Sequence, residues 1–114
     1  LKELCKGYSR GFGGKIKLDY NYGYPPTVNH QRETKFAAEV AKEIVGVQNV
    51  DINAEPIMAS EDFSYMIEKR PGCYFHVGQG VGAAVHNPKY DFNDELTPIG
   101  ASFFVKLVEN ANPF

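Results

Sequence analysis

Leu1, Leu4, Cys5, Tyr8 and Phe12 fall at the i, i+3, i+4, i+7 and i+11 positions of a helical apolar stripe. Gly11, Gly13 and Gly14 end that stripe, because glycine takes the left-handed backbone conformation that closes helices. The period then changes from 3.6 to 2. Ile16, Leu18, Tyr20, Tyr22 and Tyr24 alternate with Lys15, Lys17, Asp19, Asn21 and Gly23, which predicts a strand over Lys15–Tyr24 with one apolar face. Pro25-Pro26 ends it, since neither ring nitrogen can donate to a ladder.

Beyond the prolines, Asn29 is placed to N-cap a helix running to Val45, with Gly46 as its stop. Phe36, Ala37, Val40, Ala41 and Ile44 make its apolar face. Val50–Ile52 is a short strand candidate. Ser60 is placed to cap a second helix, with Glu61 and Asp62 in a first turn where carboxylates suit the helix dipole. Phe63, Met66 and Ile67 would face inward, and Pro71-Gly72 would turn the chain. Cys73–Val77 reads as a buried strand and residues 78–96 as a long loop. Thr97-Pro98 has the form of an N-cap followed by proline at the first helical position. In the helix it opens, Ala101, Phe104, Val105 and Val108 are expected to be buried, with Ile99 and Phe103 beside them. Strands alternating with helices predict α/β layers.

Charge divides the chain at the same prolines. Residues 1–30 carry five basic and two acidic side chains, and residues 31–114 carry seven and twelve, so the parts differ in sign. Pro25-Pro26-Thr27 is therefore either a hinge between two structural units or a sharp turn within one domain. The net charge of −2 gives no basic field for a nucleic acid, and no apolar run approaches the ~20 residues of a membrane span. With 43% hydrophobic and 23% charged residues, wholesale disorder is excluded. Cys5 and Cys73 form no CxxC and no framework, which fits two buried thiols in a reducing, cytoplasmic setting. Leu1 to Cys5 already reads as helix, without the basic and apolar regions of a signal peptide, so the chain is expected to be a piece of something longer.

Several stretches invite a chemical reading. Gly78-Gln79-Gly80-Val81-Gly82 follows a predicted strand, but it leads to Ala84-Val85-His86-Asn87-Pro88, not to the helix a dinucleotide fingerprint requires. Asp91, Asn93 and Glu95 have the first spacings of a calcium loop, yet Leu96 and Ser102 stand where that loop needs Gly and Glu. Among the histidines, His30 is expected at a helix start and exposed, and His76 on a strand, in the core or on a sheet face. His86 lies in a long loop with Asn87-Pro88 stiffening the backbone after it, a place from which an imidazole can be presented to a metal. There is no HExxH and no second histidine at ligand spacing.

Four segments together carry a resemblance. They are Gly23-Tyr24-Pro25-Pro26-Thr27-Val28-Asn29, Met58-Ala59-Ser60-Glu61-Asp62-Phe63-Ser64-Tyr65, Pro71-Gly72-Cys73-Tyr74-Phe75, and Val85-His86-Asn87-Pro88-Lys89-Tyr90-Asp91-Phe92-Asn93-Asp94. In this order and spacing the chain resembles, end to end, the C-terminal portion of metal-dependent amidohydrolases of the aminoacylase and hippurate hydrolase family, related to carboxypeptidase G-like metallopeptidases. One departure is Ala59, where relatives commonly carry Gly. The resemblance implies an α/β fold with helices packed on a mixed sheet, forming the C-terminal part of a two-domain metallohydrolase. Residues 1–28 would be the end of a lid and dimerisation domain, and residues 29–114 the C-terminal part of a catalytic domain with a two-metal centre.

By the same resemblance, His86 matches a metal-ligand histidine. The ions would be zinc, manganese, cobalt or nickel in the parent enzyme, which would polarise the amide and activate a water. Ser60 matches the substrate side of the site, where its hydroxyl or nearby helix amides would meet an anionic group; a plain N-cap is the alternative, and both can hold. Glu61 is tempting as a general base, but the family's base glutamate and the other metal ligands lie in earlier segments. No catalytic residue is therefore expected within the chain. One imidazole does not make a catalytic site, which needs at least three protein ligands. The expectation is an N-acyl amino acid amidohydrolase as the parent, acting on substrates such as hippurate, N-acetyl amino acids, N-acetyl-diaminopimelate or aminobenzoyl-glutamate. The chain alone is expected to be inactive and metal-free, and to self-associate as a homo-oligomer through the Lys15–Tyr24 strand or the helix before it. The competing class is a non-catalytic binding or assembly module that keeps the fold without the chemistry.

Overall fold

The computed structural model describes residues 1–112. Four α-helices follow one another: α1 (Lys2–Gly11), α2 (Gln31–Val45), α3 (Phe63–Lys69) and α4 (Leu96–Ala111), with a 3₁₀ turn at Val47–Asn49 after α2. None of the described residues is in a strand, so the expected α/β fold with helices on a mixed sheet is not found. The reason is physical. A helix closes its hydrogen bonds within itself, whereas a strand exists only against a partner. Lys15–Tyr24, Val50–Ile52 and Cys73–Val77 have no such ladder among the described residues.

The helix stripes are real, but few are covered. Helix α1 ends as its glycines predict: Gly13 sits at φ +67° and the Gly14 N–H reaches the Ser9 carbonyl at 3.1 Å. It buries no residue and packs on no other helix; Leu4, Tyr8 and Phe12 stay exposed. Helix α2 stops at Gly46, where φ is +83°, a backbone conformation that residues with a side chain rarely adopt.

The core lies where α2 packs on α4. Val40 is fully buried, with Ala38 and Phe103 nearly so. At its rim Asn110 donates to Glu43 at 3.0 Å and Lys106 pairs with the same carboxylate at 3.5 Å. Phe75 lies across α4, its ring 4.6 Å from that of Phe103. The face of α4 expected to be buried is the open one: Phe104, Val105 and Val108 are exposed, and Phe103 alone turns fully inward. Helix α4 also begins earlier than Thr97-Pro98 predicts. Asn93 Oδ1 accepts the Glu95 N–H at 3.0 Å and starts the turn there, which leaves Pro98 inside the first turn.

Accessible surface totals 10092 Å², against about 6,200 Å² for a folded monomer of this mass. The radius of gyration is 20.9 Å, where a compact chain of this length has about 13 Å. Most of the apolar faces are thus built without a cover. No helix among the described residues is long and apolar enough to cross a membrane. Cys5 and Cys73 are both free and half-buried, not fully buried as their types suggest.

Candidate functional site

His86 occupies a tight turn. The Asn87 N–H donates to the Ala84 carbonyl at 3.1 Å, and the Tyr90 N–H to the Asn87 carbonyl at 2.9 Å. Asn87 Oδ1 also accepts the Lys89 N–H at 2.9 Å, so one asparagine fixes the backbone after the histidine. Between these bonds His86 is held at φ +68°, alone among the described non-glycine residues in a left-handed conformation. Such a conformation costs about 1–3 kcal/mol and persists only where the surroundings impose it. The imidazole is exposed. Its turn borders an open, mostly apolar hollow of about 720 Å³, lined in part by Val85, Tyr90, Phe92 and Phe104.

Ser60 does not cap a helix. It is exposed, two residues ahead of Asp62, which stands at the N-cap position of α3. The capping bond comes from Glu61, whose Oε1 accepts the Phe63 N–H at 3.2 Å. The buried serine is Ser64, with no exposed surface and its hydroxyl donating to the Glu61 carbonyl at 2.7 Å. On α3 Ile67 faces inward, while Met66, expected beside it, is exposed.

The second oxygen of Glu61 receives the Tyr74 phenol at 3.0 Å. The Phe63 N–H first, and the Tyr74 hydroxyl second, hold the Glu61 carboxyl below its ordinary range. The same bond to Glu61 pushes the Tyr74 phenol up. A carboxylate so stabilised is ionised and occupied as an acceptor, which suits an anchor and not a base working near neutrality. No periodicity or spacing links Glu61 to Tyr74; the one sequence signal was that both lie in the segments carrying the resemblance.

His30 and His76 are both placed away from any cluster of ligands. His30 stands at the N-cap position of α2, and its Nδ1 receives the Gly72 N–H at 3.2 Å. Asn29, expected to cap that helix, instead pairs with the Tyr74 backbone. His76 is exposed, not in the core, with its ring edge-on to Tyr74 at 5.2 Å. Among the described residues no three of His, Cys, Asp or Glu come together as a metal site, so Asp91, Asp94 and Glu95 do not join His86 in one. The donors present here do not by themselves fit a metal ion.

Residues 6–110 match the sequence profile of peptidase family M20/M25/M40. The chain belongs to that family. Among its relatives is hippurate hydrolase of Campylobacter jejuni, 37% identical over 107 residues, which are 94% of this chain and 28% of that protein. N-acetyldiaminopimelate deacetylase of Streptococcus suis is 30% identical over 115 aligned positions, 96% of this chain and 30% of that protein. IAA-amino acid hydrolase ILR1-like 4 of Arabidopsis thaliana is 34% identical over 89 residues, 74% of this chain and 20% of that protein. The M20 chain thus spans less than a third of the length of these relatives. No solved structure matches it at a comparable level of significance.

Proposed function

We propose that this M20 chain serves as the C-terminal part of a metal-dependent amidohydrolase that cleaves the amide bond of N-acyl amino acids, of hippurate hydrolase or aminoacylase type. The observation that carries the proposal is the 37% identity to hippurate hydrolase over 94% of the chain, with the His86 turn held in a strained, exposed conformation inside the matched region. His86 would supply one ligand to a zinc, manganese, cobalt or nickel ion, the remaining ligands and the general base coming from residues outside these 114. When bound, such an ion polarises the amide carbonyl and lowers the pKa of a water. Within this chain, Ser60 would meet the substrate, at the exposed end of a loop that Glu61 anchors.

Residues 1–28 would belong to a lid and dimerisation unit, and residues 29–114 to the catalytic unit. The isolation of α1 from every other helix supports that division. The uncovered tyrosines of Lys15–Tyr24 support a homo-oligomer joined along that segment. Two free thiols are in keeping with a cytoplasmic location. By itself the chain would be inactive and would hold no metal tightly.

The test is a substrate panel. A protein that joins this chain to the remaining length of an M20 hydrolase, loaded with divalent metal, is expected to release benzoate and glycine from hippurate, or acetate and the free amino acid from N-acetyl amino acids. Loss of activity on chelation and its return with metal are expected. Turnover of esters or phosphates without any N-acyl amino acid would contradict the proposal.

A further inference from the structure

Tyr74 joins three stretches of chain that the sequence keeps far apart. Asn29 holds both ends of its backbone: Asn29 Nδ2 donates to the Tyr74 carbonyl and the Tyr74 N–H donates to Asn29 Oδ1, both at 2.7 Å. His30 fixes the turn just before it, with its N–H on the Gly72 carbonyl at 3.1 Å and its Nδ1 accepting from the Gly72 N–H at 3.2 Å. At the far end of the residue, the phenol donates to Glu61 Oε2 at 3.0 Å. The ring between these ends touches Phe63 at 5.7 Å and His76 at 5.2 Å.

Two features make this a coupling and not a set of separate contacts. The amide of Asn29 satisfies both backbone polar groups of one residue, as a neighbouring strand would, so a shift of Tyr74 away from Asn29 breaks two hydrogen bonds at once. The phenol-to-carboxylate bond, at 3.0 Å, is directional and has an ionised acceptor. Upstream of Glu61, residues 51–60 are all exposed and in no helix, so Glu61 is where that loop becomes fixed. A second contact crosses the same junction, the Tyr24 ring lying 5.6 Å from that of Tyr65.

We propose that Tyr74 is a positioning residue that couples the crossover at Asn29–His30 to the Ser60–Asp62 end of the exposed loop, so that the loop moves with the crossover. Its bearing on substrate rests on the reading of Ser60 given above; the coupling itself does not.

Amide hydrogen exchange on the full chain tests it, in the parent, Asn29→Ala, Tyr74→Phe and the double variant. Tyr74→Phe deletes only the hydroxyl and keeps the ring and the Asn29 bonds. Each single variant is expected to speed exchange at the Phe63–Tyr65 amides about tenfold, the double no more than either alone, with α2 and α4 unchanged. The second readout is the titration of ¹³C-labelled Tyr74, which should fall back toward the ordinary 10.0 in Asn29→Ala although Asn29 does not touch the phenol. An effect of Asn29→Ala confined to residues 28–31 and 72–75, or additive effects in the double variant, would overturn the coupling. If Asn29→Ala frays α2, Asn29→Asp keeps an acceptor for the Tyr74 N–H and should give the same two shifts, smaller; their absence overturns the proposal equally. Native exchange in the chain, with an unchanged KM for Ser60→Ala in a metal-loaded M20 hydrolase containing it, would instead count against the substrate reading and leave the coupling standing.

Discussion

Val40 on α2 keeps none of its surface exposed, while Tyr22, within Lys15–Tyr24, keeps 79%. Both lie in regular apolar patterns. The α2 stripe meets α4 within the same chain, whereas the alternating segment meets nothing comparable among the described residues. Patterning prepares a face, and a partner at hand decides whether that face becomes core. Among the described residues the closed regions are accordingly α2 with α4 and the inner face of α3, where Ser64 and Ile67 are buried, while α1, the tyrosine segment, the outer face of α4 and the His86 turn are open. Within an M20 hydrolase more than three times as long, open faces of this kind are where the rest of the protein would pack.

The sharpest way to break this contrast is on neighbouring residues of α4. Phe103→Ala should destabilise the chain by about 3–5 kcal/mol, and Phe104→Ala by less than about 0.5 kcal/mol. Chemical denaturation followed by helix content measures both. Similar losses would mean that the outer face of α4 is covered after all.

Next in size is the turn at His86. His86→Gly should stabilise the isolated chain by about 1 kcal/mol, because glycine takes φ +68° without strain. The same change in a longer M20 enzyme should remove activity, which would separate strain kept for function from strain kept for folding. A destabilised chain would contradict that separation.

The start of α3 offers a pH test. Glu61 is held below its ordinary 4.5, so its contribution is complete above that value and is lost as pH falls through the lowered one. Tyr74 is held above its ordinary 10.0, so its contribution is complete below that value and is lost as pH rises through the raised one. Exchange protection at Phe63–Tyr65 should therefore hold between 4.5 and 10.0 and weaken outside. In Glu61→Gln the acid limb should vanish. Protection unchanged at pH 2 would show that the anchor is not ionic.

The smallest effect on stability is expected at Tyr22→Lys, less than about 0.5 kcal/mol, yet it should abolish self-association along the segment in light scattering. A parent chain that stays monomeric across a wide concentration range would count against the shared edge.

How much was legible in the sequence follows the same division. The helices read out because their signals are local: the glycine stops at Gly13 and Gly46 act within one turn of the element they end. The sheet did not, since Lys15–Tyr24 and Cys73–Val77 state which face is apolar without supplying a partner. Boundaries set by side chains were displaced for a related reason. Asn29, Glu61 and Asn93 could each cap their nearest helix, but Asn29 is taken by Tyr74 across 45 residues, and Glu61 caps where Ser60 was expected. At the site, the position of His86 was readable from its flanking Asn87-Pro88, while its left-handed backbone and the Glu61–Tyr74 bond depend on contacts that no spacing encodes.

His86 is proposed to act in a site whose other members lie outside these residues. Metal content and hippurate hydrolysis, measured together on a metal-loaded M20 hydrolase containing this chain, test it most directly. His86→Ala should lose bound metal and fall by roughly 100-fold or more in kcat/KM, while His76→Ala, an exposed imidazole outside any ligand cluster, should stay within about threefold. In the isolated chain, zinc titration should find no sub-micromolar site. Full metal content with equal activity in the His86 and His76 variants, or a tight zinc site in the chain alone, would contradict the account.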